Sequence, residues 1–182
     1  TGETFSGDKV RTYNPDLVVK GLFSKPGKDP FKKFFSEKAM KVPTCLQWAV
    51  VTTIYEPNES IIGTANLKDW CIVIVGDLIT PDEAFAELQV QDNVLYMSAT
   101  LQKEMLEDPE NTFMQQIPWR SFGRKNIGFV VAISHGAKVI YDFDDDNIIT
   151  PLEDGTIIKP PFNYKEDVGF EGSVLLKYIA DE

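Results

Sequence analysis

The sequence predicts an α/β domain, a mostly parallel sheet with helices on its faces. Runs of strand formers at 48–55, 71–75 and 93–97 recur with helical stretches between them, and that alternation builds a parallel sheet. The runs are nearly continuous in apolar residues, as strands covered on both faces are. Their ends turn polar or acidic, at Thr52 and Thr53, at Asp77, and at the acids of 142–146. A chain of 182 residues is most simply one domain with a proper core.

Residues 1–46 have a different texture, rich in Lys, Pro, Gly and Phe. The stretch Phe23-Ser-Lys-Pro-Gly-Lys-Asp-Pro-Phe31-Lys-Lys-Phe-Phe35 is typical. Proline and glycine punctuation argues against long regular elements. The expectation is an extended N-terminal arm outside the core, its aromatics packing on the domain or on a protein partner. Interleaved basic and aromatic residues also occur in single-strand nucleic-acid binders. The net charge of −10 makes nucleic acid and anionic membranes poor partners for the surface as a whole.

The texture changes at Gln47, which opens the second expected unit, 47–182. The first strand is Trp48-Ala-Val-Val-Thr-Thr-Ile-Tyr55, closed by Pro57. A helix follows through Leu67 with Asn58 as its cap; Asn58-Glu59-Ser60 is also a glycosylation sequon, a cheap match. The second strand, Cys71-Ile-Val-Ile-Val-Gly-Asp77, ends in glycine and an acid. Thr80-Pro81-Asp82-Glu83 starts a helix by the cap-plus-proline rule. A third strand spans 93–97, and Ser98 caps the helix carrying Leu101, Met105 and Leu106. A loop with Pro109 and Pro118 leads to a helix near Ser121, which breaks at Gly136 before a strand at 137–143. Beyond Asn147 the pattern weakens to short strands at 148–151 and 156–158 around the Asp154-Gly155 turn.

In parallel sheets ligands bind outside the carboxyl ends of the strands. Thr52, Thr53, Asp77 and the last strand's acids would converge there. No GxGxxG or P-loop sequence is present, so neither a dinucleotide fold nor a Walker-type NTPase is supported. Asp142, Asp144, Asp145 and Asp146 put four carboxylates within five positions. Such acids repel one another, and a hard divalent cation relieves the repulsion through oxygen ligands. The bland alternative is an acidic surface turn. A rival is a helix–loop–helix calcium loop, with Asp142, Asp144 and Asp146 at positions 1, 3 and 5, Ile149 at 8 and Glu153 at 12. Against it, Asn147 stands where glycine is wanted and Val139-Ile-Tyr reads as strand. His135 reads as a helix end. Cys45 and Cys71 form no CxxC, and neither a zinc site nor a disulfide framework is indicated. No apolar run is long enough to span a bilayer, and the Thr-Gly-Glu start suggests a processed or trimmed chain.

Four pieces, taken in order, resemble a known family: Trp48-Ala-Val-Val-Thr-Thr-Ile, Trp70-Cys-Ile-Val-Ile-Val-Gly-Asp77, Arg124-Lys-Asn-Ile-Gly128 and Gly136-Ala-Lys-Val-Ile-Tyr-Asp-Phe-Asp-Asp-Asp-Asn147. Together they resemble the STELLO-type glycosyltransferases and, more broadly, the nucleotide half of a GT-A transferase. The resemblance covers about 47–147. It implies a site for a nucleotide-diphosphate sugar, with Thr52, Thr53 and Asp77 touching base and ribose. It implies a DxD motif at Asp144-Asp145-Asp146, with Asp144 facing ribose and Asp146 on Mn²⁺ or Mg²⁺; the register Asp142-Phe143-Asp144 is the alternative. Arg124, Lys125 and Asn126 would offer charge and hydrogen bonds to the nucleotide, against the plain reading of a solvated helix turn.

By resemblance the compartment would be the Golgi or secretory lumen. Only 36 residues follow the motif, so the acceptor half is expected to be short or missing. Glu153, Asp154, Asp167 and Glu171 are catalytic candidates by charge alone. Two functions follow: a metal-dependent glycosyltransferase domain, or a non-catalytic scaffold subunit built on a degenerate version of it.

Overall fold

A computed structural model of the chain describes residues 29–147. Four strands form one sheet in the order β3-β2-β1-β4, with every neighbouring pair parallel: β1 Gln47–Thr53, β2 Trp70–Gly76, β3 Val94–Met97 and β4 Val139–Asp142. The expected fold class is the one found. β1 from Trp48 to Val51 and β2 from Trp70 to Val75 are continuously apolar because each strand has a neighbour on both sides and helices over both faces. β1 stops at Thr53, two residues before the expected end, where the chain turns out toward Pro57.

Side chains alternate between two cores. Trp48, Val50, Cys71, Val73, Val75, Leu95 and Met97 face one, while Ala49, Val51, Ile72, Ile74, Val94 and Tyr96 face the other. The second core is closed by α2 (Glu59–Ala65) and by a 3₁₀ turn at Asp82–Phe85 running into α3 (Ala86–Gln89). Phe85 stacks on Tyr96 there at 4.3 Å. The first core lies under α4 (Ala99–Leu106), α5 (Thr112–Gln115) and α6 (Lys125–Ser134). α5 falls where a plain loop was expected. α6 lies so close to the sheet that a Cβ on Gly128 would stand 2.5 Å from Val50 Cγ1, so only glycine fits beneath it.

Two sequence expectations need correction. The arm was read as lying outside the core, yet its described part contains α1, Pro30–Glu37. Asp29 accepts from the amides of Phe31 and Lys32 at 3.0 and 3.1 Å, and Pro30 opens the first turn. The helix ends with Ala39 at φ 52° and the Met40 amide donating to the Phe35 carbonyl. Spacing of i, i+3 and i+4 puts Phe31, Phe34 and Phe35 on one face, and all three are buried in the first core. Of the two placements expected for the arm's aromatics, the domain is the one these three rings take, and they are not available to a partner. Phe23 and the rest of 1–28 lie outside the described residues.

The second correction concerns the cysteines. Cys45 and Cys71 are joined in a disulfide. Cys45 precedes β1, Cys71 stands opposite Trp48 in β2, and the parallel register brings the two sulfurs together. The strands expected at 148–158 lie outside the described residues.

Candidate functional site

All four strands run the same way, so their carboxyl ends share one edge. The chain steps outward from β1 through β2 to β3, then returns to lay β4 on the opposite side of β1. The direction of strand addition therefore reverses between β1 and β4. A crevice opens at such a reversal, between the loops that leave the two strands. The loop after β1 begins at Ile54 and the one after β4 carries the aspartates.

Toward β2 and β3 the edge is closed by hydrogen bonds. Thr80 Oγ1 donates to the Thr53 carbonyl and accepts from the Asp77 amide, both at 2.7 Å, stitching the ends of β1 and β2. Asp77 accepts from the Leu78 amide at 2.6 Å and from the Arg120 amide at 2.8 Å, so both carboxylate oxygens hold loops. Gln102, fully buried on α4, donates through Nε2 to the carbonyls of Gly76 at 2.8 Å and Met97 at 2.6 Å. Its Oε1 accepts from Arg124 Nε at 2.8 Å and also from Nη2. Arg124 is itself 1 % exposed. It donates to the Ile117 carbonyl at 3.2 Å, and its guanidinium carbon lies 3.5 Å from the centre of the Trp119 ring. Burial lowers its pKa to about 10, with the charge of Asp77 opposing that fall. At neutral pH the group remains a cation.

Toward β4 the edge is open and charged. β4 pairs with β1 from Gln47↔Val139 to Val50↔Asp142, and the Phe143 amide still donates to the Val50 carbonyl. The chain then turns, with the Asn147 amide donating to the Asp144 carbonyl at 3.0 Å. Asn58, capping α2 through the Ile61 amide at 3.1 Å, also donates its side-chain amide to the Asp145 carbonyl, and Ser60 Oγ donates to the Asn147 carbonyl. The N-terminus of α2, just past β1, thus pins the aspartate turn. Asp142, Asp144 and Asp146 are exposed and Asp145 is half-buried.

Lys125, buried at the first turn of α6, reaches this turn. Its Nζ donates to the Phe143 carbonyl at 2.9 Å, pairs with Asp142 at 2.8 Å, and pairs with Asp144. Burial works to lower the Lys125 pKa, but the hydrogen bonds and charges of the two aspartates outweigh it, and the net shift is upward. The residue stays an ammonium.

Of the sequence candidates, the fold brings Lys125 and Asp144 into direct contact and joins Thr53 to Asp77 through Thr80. Thr52 is half-buried at the end of β1, and Asn126 is exposed on the first turn of α6. Arg124 instead turns inward. Its partner Gln102 was not found by sequence reasoning; its only signal is a polar residue on the same helical face as Met105 and Ala99. Among the described residues no three His, Cys, Asp or Glu side chains make a ready metal cage. An Mg²⁺ or Mn²⁺ held by one or two carboxylates plus phosphate oxygens needs none, and the exposed oxygens of Asp144 and Asp146 are of the right hardness. The calcium-loop reading fails on its entering side, because strand β4 precedes Asp142 where a helix is required. Ile149, Glu153, Asp154, Asp167 and Glu171 lie outside the described residues.

No helix among the described residues is long and apolar enough to cross a membrane. No protein-family model matches the chain. Two curated proteins of Arabidopsis thaliana do match: probable glycosyltransferase STELLO2, 29% identical over 116 residues, and probable glycosyltransferase STELLO1, 28% identical over 116 residues. In each case the match covers 64% of this chain but only 13% of the relative. Over that stretch the chain is a distant relative in sequence of the STELLO probable glycosyltransferases.

Proposed function

We propose that this chain contributes the donor-binding part of a glycosyltransferase, holding a nucleotide-diphosphate sugar at the carboxyl edge between β1 and β4. The observation that carries the reading is the aspartate turn at the β1/β4 strand reversal, pinned there by Asn58 and Ser60. The distant similarity to probable glycosyltransferases supports the same class of donor. Thr52 and Thr53 would lie toward base and ribose. Asp77 ends the next strand, about 5 Å further from β4, and would reach the nucleoside through its loop. Asp144 and Asp146 would hold Mn²⁺ or Mg²⁺ together with the diphosphate, and Asp145 would line the nucleotide. Bound there, the ion would neutralise charge on the departing nucleoside diphosphate. Lys125 and Asn126 would face the phosphates. Arg124 would act from behind, by fixing the start of α6.

The Cys45–Cys71 disulfide supports an oxidising compartment such as the secretory lumen. Residues 29–147 suffice for the donor reading, with α1 as part of that unit. Calorimetric titration of UDP and GDP into the chain, with Mn²⁺ and with EDTA, tests it. At least one nucleotide should bind far more tightly with Mn²⁺, and Asp146→Ala should abolish the enhancement while the fold persists. Equal binding with and without metal would remove the metal from the reading. No nucleotide binding in any condition would favour the non-catalytic scaffold.

A further inference from the structure

Lys125 places one ammonium among three oxygens: Asp142 Oδ1, Asp144 Oδ1 and the Phe143 carbonyl. An ammonium has three donors, so the set is complete. Lys125 approaches from the protein side, with its side chain 11% exposed against 59% and 55% for the two aspartates. Two carboxylates and a carbonyl gathered around one positive centre are the donor types that hard divalent ions prefer. An ion on Asp144, the carboxylate that the donor reading also gives to the metal, would stand within a few ångströms of Nζ, and like charges that close repel.

We propose that Lys125 is a positioning residue that serves as a tethered counter-cation. It holds Asp142 and Asp144 together while no divalent ion is present, and it competes with the ion for Asp144. The ion therefore enters the turn together with a diphosphate, whose negative charge and oxygens offset the added positive charge. This rests on the donor-site reading above, and it adds an order to binding: metal alone is weak, metal with nucleotide is strong.

The test is Mn²⁺ binding to the full chain without nucleotide, read from the electron paramagnetic resonance signal of unbound Mn²⁺. Wild type, Lys125→Met and Lys125→Arg are compared. Methionine keeps the apolar stem and removes the charge; arginine keeps the charge. Lys125→Met should bind Mn²⁺ about tenfold more tightly or better, the scale on which one nearby charge shifts an equilibrium, while Lys125→Arg should stay near wild type. A merely structural lysine would leave Mn²⁺ affinity unchanged or lower in the methionine variant, and that result overturns the inference. Equal tightening in both variants overturns it too, because the charge would then not be the cause.

If Lys125→Met does not fold by circular dichroism, the wild type decides. The Lys125 ε-carbon resonance should move when Mg²⁺ and UDP saturate the site, and a resonance that stays in place overturns the inference. Nucleotide that fails to bind in any condition would refute the donor reading, and the Mn²⁺-only comparison would still decide the role of Lys125.

Discussion

The carboxyl edge of the sheet has two halves built on different terms. Behind β2 and β3, Asp77, Gln102 and Arg124 tie three loops together, and every oxygen of Asp77 and Gln102 has a backbone or guanidinium donor. Beside β1 and β4, four aspartates stand at the end of β4 and on the turn after it, their partner Lys125 is one cation, and three of the four are exposed. The first half is satisfied internally and so works as structure. The second carries surplus negative charge toward solvent and so is suited to gather cations. Arg124 and Lys125, adjacent in the chain, divide between the halves because neighbours at a helix start project about 100° apart. Adjacent basic residues are thus not one phosphate clamp.

Substitutions should separate the halves. The largest effect belongs to the closed one. Arg124→Ala removes the donors to Gln102 and Ile117 and leaves buried acceptors unpaired, so urea denaturation should register a loss of about 3 kcal/mol or more. Arg124→Lys should recover little, since an ammonium cannot reproduce the planar fork stacked on Trp119. Wild-type stability in Arg124→Ala would show that the network is not what holds the edge.

Next comes the helix that carries both basic residues. Gly128→Ala drives a methyl against Val50 Cγ1 at 2.5 Å and Val75 Cγ2 at 3.1 Å. The overpacking should cost about 1–3 kcal/mol and, by lifting α6, should weaken nucleotide binding as well. A variant that loses stability but keeps full nucleotide affinity would mean that the open half is insulated from the helix seat.

The open half should behave oppositely. Asp146→Ala should change stability by less than about 0.5 kcal/mol, as exposed substitutions do, while losing the metal-dependent part of nucleotide binding. A large stability loss with metal response intact would reverse the assignment of the two halves.

The smallest effect is expected at the far end of α6. His135 donates to the Val131 carbonyl through Nδ1 at 2.8 Å and lies edge-on to Phe35. Burial lowers its pKa below the ordinary 6.5, opposed by the Val131 carbonyl and by Asp29, with Lys32 adding to the fall. The unfolded chain then takes up a proton that the folded chain resists, so stability should decline as pH falls below about 6.5 and be level above it. His135→Gln should flatten that slope. A slope unchanged in the variant would assign it to other groups.

Much of the fold is written in the sequence, because parallel strands buried on both faces leave continuous apolar runs and because Ser98 and Asn58 cap where capping residues should. The arm misled for a physical reason. Lysines and scattered prolines and glycines set its texture, whereas the fold of its described part is decided by Asp29-Pro30 at a helix start and three phenylalanines on one face. That signal was present and shorter than the noise around it. The disulfide was not legible, since Cys45 and Cys71 meet only through the register of β1 on β2. At the site, the acids and the strand ends could be read, but the direction each basic side chain takes could not. Whether a charged residue pairs inward or outward depends on partners such as Gln102 that look like solvated helix positions until the helix is packed.

The most direct measurement of where this chain binds is a chemical-shift map with UDP and Mg²⁺ added to the isotopically labelled protein. Amide signals of Thr52, Thr53, Lys125 and 144–147 should move together, while the side-chain amide of Gln102 and the Arg124 Nε–H stay in place. Binding that moves the Gln102 and Arg124 signals and leaves the aspartate turn still would contradict a nucleotide site between β1 and β4.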